Sequence, residues 1–166
     1  MYKPKHQWII SFEGSSDCTG KTTLINAFNK ATNYNHLLDD RRTLSTRAYS
    51  IKFNRTENGD FKEIEKHLAS FPYHLLVYLT ASKEDVVKRQ SIKNDGYDAE
   101  DYDLDKKLFD RCLASSQYKK VIKLNSSEMT VDEEVEAILN DIQYYELIDD
   151  IKKAANKYAE RKKYDR

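Results

Sequence analysis

Residues 15–22, Ser-Ser-Asp-Cys-Thr-Gly-Lys-Thr, carry the clearest chemistry in this 166-residue chain. Their types and spacing fit a loop that binds phosphate, closed by Gly20, Lys21 and Thr22. Successive backbone N–H groups of such a loop converge on phosphate oxygens. A helix starting at its end aims its positive dipole at the same place. Lys21 supplies a mobile cation for the terminal phosphates, and the Thr22 hydroxyl supplies an oxygen for Mg²⁺. Ser15, Ser16, Asp17, Cys18, Thr19, Gly20, Lys21, Thr22 and Thr23 are therefore the expected contacts for a nucleoside triphosphate such as ATP. One departure stands at the start. Ser15 occupies the place where a glycine is expected, and the glycine comes one residue earlier, at Gly14.

Such a loop works only between a strand and a helix. Trp8 to Phe12 reads as the buried strand, and Leu24, Ile25, Ala27 and Phe28 as the first turns of a helix over about 22–31. Further along, His36 to Asp40 reads as a short strand ending in acids. Thr43 to Phe53 has a helical pattern with Leu44, Ala48 and Ile51 on one face. Phe61, Ile64, Glu65, Leu68 and Phe71 suit another helix, stopped before Pro72. Tyr73 to Leu79 is near-continuously apolar, as a parallel strand covered on both faces should be. Ser82 caps a helix carrying Val86 and Val87, Leu104 to Ser115 is helical, and Val121 to Leu124 is the last strand. Thr130 and Glu133 form a capping box for a long final helix. Strands alternating with helices give an α/β, three-layer fold with a parallel sheet.

Composition narrows the setting. Lysine and arginine number 28, as do aspartate and glutamate, so nothing in bulk charge favours nucleic acid or membrane. No apolar run approaches the length of a membrane span, and the first residues lack the apolar core of a signal peptide. Cys18 and Cys112 imply no disulfide framework. The expectation is a cytoplasmic protein with no membrane partner. The four histidines show no metal-ligand spacing, and serine, cysteine and histidine offer no hydrolase triad.

A second motif follows the short strand: Asp40-Arg41-Arg42-Thr43-Leu44-Ser45-Thr46-Arg47-Ala48-Tyr49. Asp39 or Asp40 at a strand end beside the loop can meet a magnesium shell. Arg41 can fork onto a phosphate or acid group of an acceptor. Together with Phe12-Glu13-Gly14 and Asp17-Cys18-Thr19-Gly20-Lys21, this segment resembles the thymidylate kinase family. That family carries Phe-Glu-Gly-x-Asp-x-x-Gly-Lys in its loop and Asp-Arg-Tyr-x-x-Ser-x-x-Ala-Tyr after a short strand. Here one extra residue separates Gly14 from Asp17. The likeness is close over residues 7–50 and loose over 73–140.

The resemblance implies a P-loop kinase fold with about four parallel strands, a helical lid and a long C-terminal helix. Residues 1–142 are then the kinase-like domain, and 143–166 a helical extension of the same domain. It implies catalytic roles for Lys21, Asp17, Asp40, Arg41 and Arg89, metal contacts from Thr22 and Asp40, and acceptor contacts from Asp17, Arg41, Ser45 and Tyr49. Cys18 stands where some members place an arginine, so the transition-state cation must come from the lid. Lys88, Arg89 and Lys93 lie on the helix leading to that position, and Arg89 is the favoured one. Asp101-Tyr102 resembles the lid's closing pair. For Asp17 a turn-forming role, for Asp40 and Arg41 a structural ion pair, and for Ser45 and Tyr49 helix packing are the competing assignments.

The resemblance also has a gap. About 18 residues separate Lys21 from Asp40; a helix and a short strand exhaust that length. The segment that grips the base in thymidylate kinases has no counterpart. Phe53, Arg55, Phe61 and Lys62 are candidates for a replacement wall. Three functions follow. The first is ATP-dependent phosphoryl transfer to a nucleotide, foremost a deoxynucleoside monophosphate. The second is a kinase acting on polynucleotide or a modified DNA base, which needs only an open groove. The third is a non-catalytic nucleotide-binding module. The final helix outruns the domain and ends in bases, so it is either a solvated tail or a protein contact such as a homodimer.

Overall fold

The computed structural model describes residues 2–40, 43–55, 60–93 and 99–164. Four strands form one parallel sheet: β1 (Ile9–Gly14), β2 (Leu37–Asp40), β3 (His74–Thr80) and β4 (Val121–Asn125). Their order is β2-β1-β3-β4. Ile9 pairs with Leu37 on one side and His74 on the other, and Leu76 pairs with Val121. The helices are α1 (Lys21–Ala31), α2 (Thr43–Lys52), α3 (Phe61–Ser70), α4 (Lys83–Lys93), α5 (Tyr102–Ala114) and α6 (Val131–Tyr164), with a 3₁₀ turn at Ala99–Asp101.

Burial of β3 on both faces explains its unbroken apolar run. Leu75, Val77 and Leu79 join Ile10, Phe12, Leu24, Phe28, Val135, Ile138 and Ile142 under α1 and α6. Leu76 and Tyr78 join Leu44, Ala48, Leu108 and Phe109 under α2 and α5. These are the three expected layers. Ile51 departs from the expected face of α2 at 45% exposure, because α2 leans on α5 and turns that position to solvent. Ile64 and Val87 are likewise outward, leaving Leu68 and Val86 to anchor their helices.

The helix caps follow the sequence. Asp85 N–H donates to Ser82 Oγ at 3.2 Å. Glu133 N–H donates to Thr130 Oγ1 at 3.3 Å, while Thr130 N–H donates to a Glu133 carboxylate oxygen at 2.7 Å. Glu146 of α6 fastens the N-terminal segment. Its carboxylate, 1% exposed, accepts from Lys5 N–H at 3.0 Å, Trp8 Nε1–H at 3.0 Å and the Tyr2 hydroxyl. His36 Nδ1 accepts from Trp8 N–H, and His74 bonds Ser11 Oγ, so these two histidines serve the core. Among the described residues, no helix is long and apolar enough to cross a membrane.

Chain direction places the chemistry. The connection after β1 leads outward to β2, and the next crosses back over β1 to β3. Loops leaving β1 and β3 therefore diverge at their C-terminal ends, which opens a crevice there. Asp40 ends β2, and residues 15–20, Ser82 and Ser126 follow strand ends on this same edge.

Candidate phosphate-transfer site

Gly14 ends β1, and its missing side chain matters. A Cβ there would stand 2.5 Å from Thr19 Oγ1. The early glycine thus lets the loop fold back over its own start. Ser15 follows as a fully buried residue, its N–H donating to Leu79 O at 3.0 Å. It lies beneath the loop, whereas residues 16–23 line a cavity of about 260 Å³. Cys18 and Gly20 turn the chain through the left-handed region, at φ 59° and 91°. That conformation is cheap for glycine and costs about 1 kcal/mol for cysteine. Gly20 then caps α1, whose first residue is Lys21.

Lys21 is buried, and its ammonium pairs with the Asp40 carboxylate at the end of β2. The pairing needs β2 beside β1, with Phe12 in register with Asp40. Thr22 and Thr23 are exposed on the cavity wall. Asp17 is half-buried on the same wall. Among the described residues, Arg89 is the one lining residue from outside 16–23. Its guanidinium donates to Cys18 O at 3.2 Å, Ser126 Oγ at 2.8 Å and Ser126 O at 3.0 Å. Arg89 of α4 thus reaches the backbone of Cys18. Lys88 is exposed, and the side chain of Lys93 lies outside the described residues.

The sequence did not single out Ser126. Its hydroxyl donates to Thr19 O at 2.7 Å while accepting from Arg89. Next to it, Ser127 Oγ accepts from Ser82 N–H at 2.8 Å. The loop after β4 therefore joins the phosphate loop to the start of α4 and fixes Arg89 between them. A serine pair right after the last strand, at the edge where the loop lies, was the available signal. Glu134, in the first turn of α6, is 2% exposed, and burial pushes its carboxyl up to about 7 against the opposing field of Arg89.

The second motif divides. Asp40 enters the site, and Arg41 lies outside the described residues. Ser45 and Tyr49 turn inward. Ser45 is 5% exposed, and its hydroxyl donates to the Glu13 carboxylate, which also accepts from Leu44 N–H at 3.1 Å. Glu13 is a fully buried acid on β1 that satisfies the first N–H groups of α2 and meets its dipole. An acid inside an otherwise apolar strand was its signal. Tyr49 stacks on Phe53 at 6.1 Å and meets Phe109 edge-on at 5.6 Å.

The other candidates sit at the far end of α2. Phe53 is 53% exposed with Arg55 4.9 Å above its ring. Lys52, nearly buried, bonds Asp101 at 2.9 Å and Asp105 at 2.7 Å, and those hydrogen bonds keep it charged against the cost of burial. The Tyr102 hydroxyl donates to Ala81 O. The Asp101-Tyr102 pair thus ties α5 to α2 and to the end of β3. Phe61 and Lys62 begin α3, half-buried and exposed respectively.

The cavity is smaller than the ~300–1,000 Å³ that encloses whole ligands; it suits a polyphosphate tail with the nucleoside outside. Its oxygen donors suit magnesium, which takes one or two protein oxygens and completes its shell from water and phosphate. Thr22 and Asp40 would hold it. No cluster of three metal-ligating side chains exists among the described residues, so a dedicated protein cage is not what this site offers.

No protein-family profile and no curated protein matches the chain. Solved structures do. The fold is similar to the YorR protein of Bacillus subtilis in complex with phosphorylated GDP, with a TM-score of 0.67 at 18% identity, over 81% of this chain and 95% of that one. It is also similar to the deoxyadenosine kinase of M. mycoides with bound dCTP, with a TM-score of 0.60 at 12% identity, over 82% and 99%. The architecture is the three-layer P-loop kinase fold.

Proposed function

We propose that this protein transfers the γ-phosphoryl group of ATP to a nucleotide, foremost a deoxynucleoside monophosphate. The observation that carries the reading is that buried Lys21, paired with Asp40, and half-buried Arg89 both line the cavity formed by residues 16–23. The fold shared with a deoxyadenosine kinase supports it.

Little covalent chemistry is asked of the protein. An acceptor oxygen bonds to the γ-phosphorus as the bond to the bridging oxygen of ADP breaks. The transferring group spreads negative charge over its oxygens, and fixed cations stabilise it. Lys21 neutralises charge from the loop side. Arg89, held by Cys18 and Ser126, supplies the lid cation. Arg41, next in sequence to Asp40, is the proposed clamp on the acceptor phosphate, and Asp17 orients the acceptor at the cavity wall. Thr22 and Asp40 would hold magnesium, which would supply further positive charge against the triphosphate.

The test is a phosphoryl-acceptor screen with γ-labelled ATP and magnesium. Free deoxynucleotides, nucleosides, and single- and double-stranded DNA are offered side by side. Label in a deoxynucleoside monophosphate, abolished by Lys21→Ala, is the expected outcome. Label in DNA alone would move the assignment to a polynucleotide kinase, the reading favoured by the missing base-gripping segment. Tight ATP binding with no labelled acceptor would leave a binding module.

A further inference from the structure

Past Asp150 the last helix leaves the body, and every residue from Ile151 to Glu160 is exposed. The exposed face is nonetheless apolar along one line. Tyr144, Leu147, Ile151, Ala154 and Tyr158 follow at steps of three, four, three and four, the a and d positions of a heptad repeat. The four large ones are 56%, 55%, 55% and 63% exposed in that order. Ile151–Glu160 continues a docked helix but packs on nothing of its own, and most helical stability in proteins comes from packing of an apolar face. The seam calls for a second helix of matching spacing.

Charge identifies the occupant and its direction. Residues 143–150 present Asp149 and Asp150 and no base, Glu146 being buried against the N-terminal segment; residues 151–158 carry Lys152, Lys153 and Lys157 and no acid. A second copy laid parallel sets like charge on like. Laid antiparallel, it sets the acidic half of each helix against the basic half of the other. With the two-fold axis between residues 152 and 153, Ile151 meets Ala154 of the second copy and Leu147 meets Tyr158. On one flank of that seam Asp150 faces Lys157 of the second copy. Symmetry makes every contact twice. Within its own chain Asp150 also bonds Lys5, at 2.6 Å with both side chains about half exposed, a pair that water screens heavily.

We propose that two copies of this chain associate through an antiparallel pairing of α6 along the Tyr144–Tyr158 seam. Light scattering after size exclusion, across a concentration series, should find twice the 19.5 kDa of one chain. Ile151→Asp places a charge in the seam twice and should raise the dissociation constant by about 100-fold or more, with helicity and melting of the single chain retained because the position is exposed. Lys157→Asp should weaken pairing by about tenfold, and Asp150→Lys added to it should restore the pairing. Under mild oxidation, a mixture of Leu147→Cys and Tyr158→Cys chains should cross-link where neither alone does. A wild-type chain that stays single at every concentration overturns the proposal. So does a dimer indifferent to Ile151→Asp, or cross-linking of each cysteine variant with itself.

Discussion

The phosphate loop and helix α2 both came from the sequence as ligand-binding segments, yet the structure uses them differently. Residues 16–23 line the cavity. In α2, Ser45 bonds Glu13, Tyr49 packs on Phe109, and Arg47 donates to Glu65 at 3.0 Å and to Cys112 O at 3.3 Å. A loop that binds phosphate does so through its backbone, so glycine positions and one lysine suffice to define one. A helix works through side chains, and what those meet depends on the elements opposite. Here α2 lies between β1 and α5 and its polar groups serve that interface.

The loop's role is tested most severely at Lys21. Lys21→Ala should lower phosphoryl transfer by roughly 10³-fold with the fold intact, measured as turnover against far-UV dichroism. Unchanged turnover would remove the loop from the chemistry. Arg89→Ala should cost roughly 10²-fold, and Arg89→Lys should recover only part, because a lysine cannot fork across Cys18 O and Ser126. Full recovery with lysine would make Arg89 a simple point charge.

Glu134 gives a readout of stability on the loop side. Its carboxyl is raised from 4.5 to about 7 by burial, so the folded protein holds a proton that the unfolded chain releases. Stability should therefore fall as pH rises from 4.5 to about 7 and level off above. Glu134→Gln should remove that slope and stabilise the protein at pH 8 by about 2 kcal/mol, seen in denaturant melts. An unchanged slope would mean the carboxyl is already ionised. The smallest effect sharpens the α2 side. Ser45→Ala should cost about 1 to 2 kcal/mol of stability by leaving Glu13 one donor short, with the KM for the acceptor unmoved. A raised KM with unchanged stability would return Ser45 to the acceptor pocket.

Much of this was legible along the chain. The run from Tyr73 to Leu79 announced a strand buried on both faces, and the count between Lys21 and Asp40 announced a four-stranded sheet. The loop's cavity wall was readable because its members are contiguous. Ser126 was not, because its partners Thr19 and Arg89 are distant in sequence and meet it only through the order of β1, β3 and β4. Glu13 was visible as an odd acid in a strand but not as the cap of α2, since that role exists only once α2 crosses the strand end.

The sequence by itself determined the phosphate loop, the strand–helix alternation and the capping box of α6, all set by residues near one another whose local conformation is nearly self-sufficient. Tertiary structure alone decided that Arg89 reaches Cys18, that Asp40 pairs with Lys21, and that Ser45 and Tyr49 face inward. Those outcomes depend on which strands are neighbours and which helix faces are covered, and buried polar groups must then take whatever partners that arrangement brings within reach.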